Sequence, residues 1–169
     1  MLTEDQQKYL NSIPEDKRIT VFDFDPAVKT ASDKVIARIQ AWQPNWDVCS
    51  MGSSELGIAG QNDIDMNIPI HSDEAMNYLP TLEQLFGPPR QRKRLPIKWI
   101  FEQDGFEVEL YLTDKTTETF QEHLMVFELL KNQPELRARY ETIKKSADGG
   151  SFRDYMKKKY EFFNEILNR

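Results

Sequence analysis

The segment DIDMNIPI at residues 63–70 constrains the fold of this chain more than any other. Ile64, Met66, Ile68 and Ile70 alternate with Asp63, Asp65, Asn67 and Pro69, the period of a strand with one buried face. Such a strand needs neighbours to pair its backbone, and they are legible. In residues 106–112 (FEVELYL) the apolar side chains take one face while Glu107, Glu109 and Tyr111 take the other. Residues 97–102 pair with that strand through a turn at Gln103-Asp104-Gly105. Residues 46–51 (WDVCSM) read as a further strand, and residues 18–24 (RITVFDF) as a short strand or extended arm.

Helical signals surround these strands. Thr3 with Gln6 forms a capping box for a helix that Pro14 stops. Asp25-Pro26 opens a second helix, with Val28, Val35, Ile36, Ile39 and Trp42 at helical spacing and Pro44-Asn45 beyond it. A loop holding Gly52, Gly57 and Gly60 leads into the central strand, and Asp73 caps a helix carrying Leu79, Leu82, Leu85 and Phe86. From Thr116 the pattern stays helical: one helix marked by Phe120, Leu124, Phe127 and Leu130, a second from Pro134 to Gly149-Gly150, and a third opened by Ser151. That third helix carries Phe152, Tyr155, Met156, Phe163 and Ile166. The expectation is an α+β sheet domain with a C-terminal helical tail: an extension at 1–17, an α/β core at 18–115 and a helical segment packed on it at 116–169.

Composition narrows the class. At 169 residues the chain suits one domain, and 22 Lys plus Arg against 28 Asp plus Glu leave a net charge of −6. That balance argues against a protein that coats DNA, so no stable DNA binding is expected. Cys49, the one cysteine, excludes an internal disulfide framework and a cysteine-based zinc site, and reads as a small buried side chain. No apolar run approaches the roughly 20 residues of a membrane span. The polar, acidic residues 1–10 are no signal peptide, so no membrane association and a cytoplasmic location are expected.

The chemistry concentrates at Gly52-Ser53 and Asp63-Ile64-Asp65. Two carboxylates two apart on a strand project from one face and repel each other when ionised. A divalent cation resolves that conflict, and hard Mg²⁺ (or Mn²⁺) prefers carboxylate oxygens, water and substrate phosphate. Gly52 lets the backbone approach a phosphate, and Ser53 offers a hydroxyl and an amide to it. If the 106–112 strand lies alongside, Glu107 or Glu109 would join Asp63 and Asp65 around two ions about 3.5–4 Å apart, a clamp for displacement at phosphorus.

Gly52-Ser53 followed by Asp63-Ile64-Asp65 resembles the signature of the nucleotidyltransferase superfamily, to which DNA polymerase beta and the poly(A) polymerases belong. Within it the chain is most similar to the GrpB family. Phe24-Asp25-Pro26, Met51-Gly52-Ser53 and Gly57-Ile58-Ala59-Gly60 resemble that family's opening. His123-Leu124, Phe127, Pro134, Tyr140 and Lys144 follow its C-terminal pattern, with Tyr155, Lys159 and Phe162 beyond. The resemblance spans residues 19–168. It implies a nucleotidyltransferase-like mixed sheet flanked by helices and a metal-dependent transfer of a nucleoside monophosphate from NTP, releasing pyrophosphate. It further implies phosphate contacts from Gly52 and Ser53, Mg²⁺ ligation by Asp63 and Asp65, and Glu109 as the third carboxylate, on the ion that activates an acceptor hydroxyl. Many GrpB members carry His-x-His where this chain has Glu107-Val108-Glu109.

Three further features bear on the site. Lys159 shares a helix face with Tyr155 at i, i+4 and would reach a γ-phosphate, while Lys157 and Lys158 read as helix surface. Arg90, Arg92, Lys93 and Arg94, with Lys98, form either a grip for a triphosphate or an acceptor phosphate, or a solvated loop. His123 reads as structural and His71 stays open. The acceptor, whether a small molecule, a protein hydroxyl or an RNA end, leaves no trace in the sequence.

Overall fold

The structure is a computed structural model that describes residues 1–92 and 94–168; the candidate Lys93 lies outside the described residues. Its centre is a four-stranded sheet of β1 (Cys49–Met51), β2 (Asp63–Ile70), β3 (Ile97–Gln103) and β4 (Phe106–Asp114), in the order β1-β2-β4-β3. β2 and β4 run parallel, and the two outer pairings are antiparallel, which makes the sheet mixed. The β3–β4 turn is tight: Asp104 (φ 53°) and Gly105 (φ 85°) both take the left-handed conformation that a two-residue hairpin needs. The parallel register sets Asp63 opposite Glu107 and Asp65 opposite Glu109.

Two helices cover the apolar face, α2 (Ala27–Gln40) and α4 (Ala75–Phe86). Val35 and Ile39 of α2 and Leu79, Leu82 and Leu85 of α4 form one core with Ile64, Met66, Ile68, Val108, Leu110 and Trp99. The Trp99 indole N–H donates to the Gly87 carbonyl at 2.9 Å, so its one polar atom is satisfied inside that core. The other face is roofed by α5 (Glu118–Asn132), α6 (Pro134–Lys145) and α7 (Phe152–Ile166), which carry smaller apolar clusters of their own. α1 (Glu4–Ser12) has the expected Thr3–Gln6 capping box and packs on α7.

Several boundaries differ from the sequence reading. The strand expected at 46–51 shrinks to Cys49–Met51, because Trp46 leaves the ladder to stack on Tyr78 with ring centroids 4.2 Å apart. The loop expected after it contains a short helix, α3 (Gly52–Leu56), and residues 18–24 form an arm with isolated bridges only. Trp42 is half exposed and not a core residue, and Cys49 is only partly buried. Asp73 does not cap α4: a single 3-10 turn (Ser72–Glu74) intervenes, and the Glu74 carboxylate accepts from the His71 N–H at 2.9 Å. α2 starts at Ala27, one residue later than expected, with Pro26 and not Asp25 at its N-cap; the Asp25 carboxylate accepts from the Ala27 N–H at 2.9 Å just ahead of it. Among the described residues no helix is long and apolar enough to cross a membrane.

Candidate active site

The pleat that buries Ile64 and Met66 turns Asp63, Asp65 and Asn67 toward the roof, and the same alternation on β4 presents Glu107, Glu109 and Tyr111. Between this polar face and α5–α7 lies a cavity of about 690 Å³. Gly52, Ser53, Asp63, Asp65, Glu107 and Glu109 all line it, as do Lys98, Tyr155 and Lys159. The expected residues from β1, α3, β2, β3, β4 and α7 therefore converge on one space.

Gly52 sits where β1 passes into α3, at φ 82°, and a Cβ there would collide with Asp65 Oδ2. Only glycine lets the chain turn here while its backbone lies against that carboxylate. The Ser54 hydroxyl donates to the Asp63 carbonyl, tying α3 to the start of β2. Further along, the Thr113 hydroxyl donates to Asn67 Oδ1 at 2.9 Å and closes the polar row.

Electrostatics distinguish the three carboxylates. Burial raises the Asp63 pKa against the pull of Lys144. Burial and the neighbouring Asp63 push Asp65 up to about 7. Glu109 instead has partners: Lys98 Nζ lies 2.7 Å from Oε1, and the Tyr111 hydroxyl donates to Oε2. Burial and that hydrogen bond move the Tyr111 phenol well above its ordinary value.

Two residues on the roof have no part in the site as read from the sequence. Lys144 is 5% exposed and lies over the rings of Tyr140 and Tyr155, with Nζ 5.0 and 5.5 Å from their centroids. Burial, then Lys159, lowers its pKa to about 8. His123, read as structural, lines the cavity, and burial together with Lys159 lowers its pKa. For Lys159 burial opposes the charge, but Tyr155 and Asp65 outweigh it and raise the pKa above the usual lysine value.

The basic loop is divided. Lys98 faces the cavity, whereas Arg90, Arg92 and Arg94 are exposed outside its lining, with Arg92 Nη1 3.2 Å from the Glu83 carboxylate. Among the described residues no three His, Cys, Asp or Glu side chains converge closely enough to hold an ion. Asp63 and Asp65 nonetheless fit a hard divalent cation. They are neighbouring oxygen donors on one strand face, both held above the ordinary carboxylate range by desolvation. Glu109, across the ladder from Asp65, is engaged by Lys98 and Tyr111.

The family model for GrpB protein matches residues 18–169. No curated protein matches the chain. Among solved structures, the conserved protein GrpB from Enterococcus faecalis superposes with a TM-score of 0.63 at 21% identity, covering 88% of this chain and 97% of that one. Cid1, described as an RNA terminal uridylyl transferase, superposes with a TM-score of 0.53 at 17% identity over 83% of this chain and 43% of its own. A second Cid1 structure, the poly(U) polymerase with MgGTP bound, gives 0.53 at 17% over 83% and 44%. The chain thus spans less than half of the Cid1 chains it matches. These likenesses establish a nucleotidyltransferase-like fold, a mixed sheet flanked by helices.

Proposed function

The chain belongs to the GrpB family, and on that premise we propose that it transfers a nucleoside monophosphate from an NTP to a hydroxyl acceptor, using Mg²⁺ or Mn²⁺ and releasing pyrophosphate. One observation carries this reading. Asp63 and Asp65 stand beside Glu107 and Glu109 on the floor of a cavity whose roof presents Lys144 and Lys159. Carboxylates below and ammonium groups above are what a metal-bound triphosphate requires from its two sides.

In this reaction Asp63 and Asp65 hold the cation, with Glu109, or Glu107 beside it, as the third carboxylate. When bound, the cation neutralises charge on the phosphates and favours the deprotonated acceptor. Gly52 and Ser53 contact the phosphates from the start of α3. Lys159 and Lys144 pair with the β- and γ-phosphates, and Tyr155 orients the lysines. The acceptor oxygen bonds to the α-phosphorus as the bond to pyrophosphate breaks, and Glu109 takes the hydroxyl proton. Arg90, Arg92 and Arg94, exposed on the loop before β3, would meet the phosphates of an acceptor such as RNA. In this division of labour the core at 18–115 supplies the carboxylates, and 116–169 supplies the cations. The reaction belongs in the cytoplasm, where NTPs are supplied.

Calorimetric titration of ATP, GTP, CTP and UTP with Mg²⁺, on the native protein and on Asp63→Asn/Asp65→Asn, tests the reading. Metal-dependent binding lost in the double variant is the expected result. Failure of all four nucleotides to bind overturns it. The engagement of Glu109 by Lys98 and Tyr111 favours a second reading, a nucleotide- or phosphate-binding module without catalysis. Bound NTP with no pyrophosphate released across small-molecule, protein and RNA acceptors would select it.

A further inference from the structure

Residues 1–17 lie outside the stretch that the GrpB family model matches, yet they reach the cavity. α1 is anchored on α7 at several points. Leu10 and Ile13 are buried with Phe152, Tyr155 and Met156. The Gln6 and Asn164 side-chain amides bond reciprocally at 3.1 and 2.8 Å, and Asn164 also donates to the Met1 carbonyl at 2.7 Å.

Tyr9 stands at the edge of that packing, touching α7 through the ring of Tyr160. It lines the same cavity as Asp63, Asp65 and Lys159 while remaining 44% exposed. Its ring meets Tyr160 edge to face, with centroids 6.3 Å apart and planes at 75°. In such a pair one ring offers only its edge, so neither of its faces is covered by the other. An aromatic ring left this exposed at the cavity is a platform for another planar ring. Lys159 and Tyr160, both on α7, line this one cavity together with Tyr9, so a cation and an aromatic pair border the same space.

We infer that Tyr9 and Tyr160 form a stacking subsite for the nucleobase of the bound nucleotide, which makes α1 part of the substrate site. This rests on the nucleotide reading given above. A nucleobase is the occupant because the platform offers π faces next to a phosphate grip, the two ends of a nucleotide. Stacking reads no hydrogen-bond edge, so the subsite accepts all four bases and favours the larger purines.

The test compares ATP with inorganic tripolyphosphate, both with Mg²⁺, by calorimetry on the native protein, Tyr9→Ala, Tyr9→Leu and Tyr9→Phe. Tyr9→Ala weakens ATP about tenfold and leaves tripolyphosphate unchanged. Tyr9→Leu, which keeps apolar bulk on the helix, does the same, and Tyr9→Phe binds ATP like the native protein. ATP affinity unchanged in both Tyr9→Ala and Tyr9→Leu overturns the inference. So does a parallel loss of ATP and tripolyphosphate, which marks Tyr9 as a structural prop. A native protein that binds no nucleotide overturns the functional reading itself, a result distinguishable from either.

Discussion

The two faces of the sheet are made from alternate residues of the same strands, and they meet opposite demands. On the α2/α4 face, Met66, Val108, Leu110 and Leu112 are 0% exposed and belong to one apolar cluster. On the cavity face, one residue away in each case, the row is Asp63, Asp65, Asn67, Glu107, Glu109 and Tyr111. The first face gains by excluding water. The second collects like charges, partly desolvated, on a rigid floor. Stability is therefore concentrated on one side of the sheet and conflict on the other, and the pleat keeps them a single residue apart.

Substitutions that mistake one face for the other separate these roles. Leu110→Ala removes a fully buried side chain from the centre of the largest core and costs about 2–5 kcal/mol, enough to threaten the fold. Urea unfolding measures it. A loss below about 1 kcal/mol would mean that the α2/α4 face does not dominate stability.

Asp65→Asn acts in the opposite sense. The folded protein holds the Asp65 proton up to about pH 7, whereas the unfolded chain releases it near 3.8. The penalty of ionising Asp65 is thus absent below the unfolded value, grows as pH rises between the two, and is complete above the folded one. Asn removes that penalty. The variant should match the native protein near pH 4 and exceed its stability by on the order of 4 kcal/mol at pH 8, while losing metal-dependent nucleotide binding. Denaturant melts at three pH values settle the sign. A variant less stable than the native protein at pH 8 would show that Asp65 contributes to the fold through Lys159 and Lys144.

Much of this division was legible beforehand, because period-2 alternation reports burial directly. The strand at 63–70, the β3–β4 hairpin and the shared face of Asp63, Asp65, Glu107 and Glu109 follow from it. Lys144 entered only through the family's C-terminal pattern, with no role attached. A lysine in the last turn of a helix, followed by Lys145, reads as solvated surface, and only the packing of Tyr140 and Tyr155 around it makes it a buried cation. Tyr9 was silent for a similar reason: an aromatic next to Leu10 in an amphipathic helix gives no sign of the cavity beside it. Charge density on the basic loop could not tell Lys98, which faces the cavity, from Arg92, which pairs with Glu83. Five residues are also too few for helical periodicity, so α3 read as loop.

Gly52→Ala probes the seam between the faces. The new Cβ meets Asp65 Oδ2, and φ 82° is unfavourable for any residue with a Cβ, at about 1–2 kcal/mol. The carboxylate can rotate away, so stability falls only by about that amount while Asp65 leaves its position. Metal affinity by calorimetry should therefore drop further than thermal stability does. Equal losses in both would make Gly52 a residue of the fold alone.

The smallest effect concerns Glu109, the one carboxylate of the row with an ion-pair partner among the described residues. Lys98 and Glu109 retain about a quarter of their side-chain exposure, 25% and 23%, so their 2.7 Å contact is worth only about 1 kcal/mol. A double-mutant cycle of Lys98→Met and Glu109→Gln measures that coupling by unfolding without divalent cation. Repeated with saturating Mn²⁺, the cycle asks whether Glu109 still belongs to Lys98. If Glu109 completes the metal site, the cation draws its charge away from the lysine, and the coupling shrinks. A coupling that is the same with and without Mn²⁺ keeps Glu109 on Lys98. The cavity face would then work with two carboxylates, Asp63 and Asp65, and a lysine would hold the place that a metal ion was expected to share.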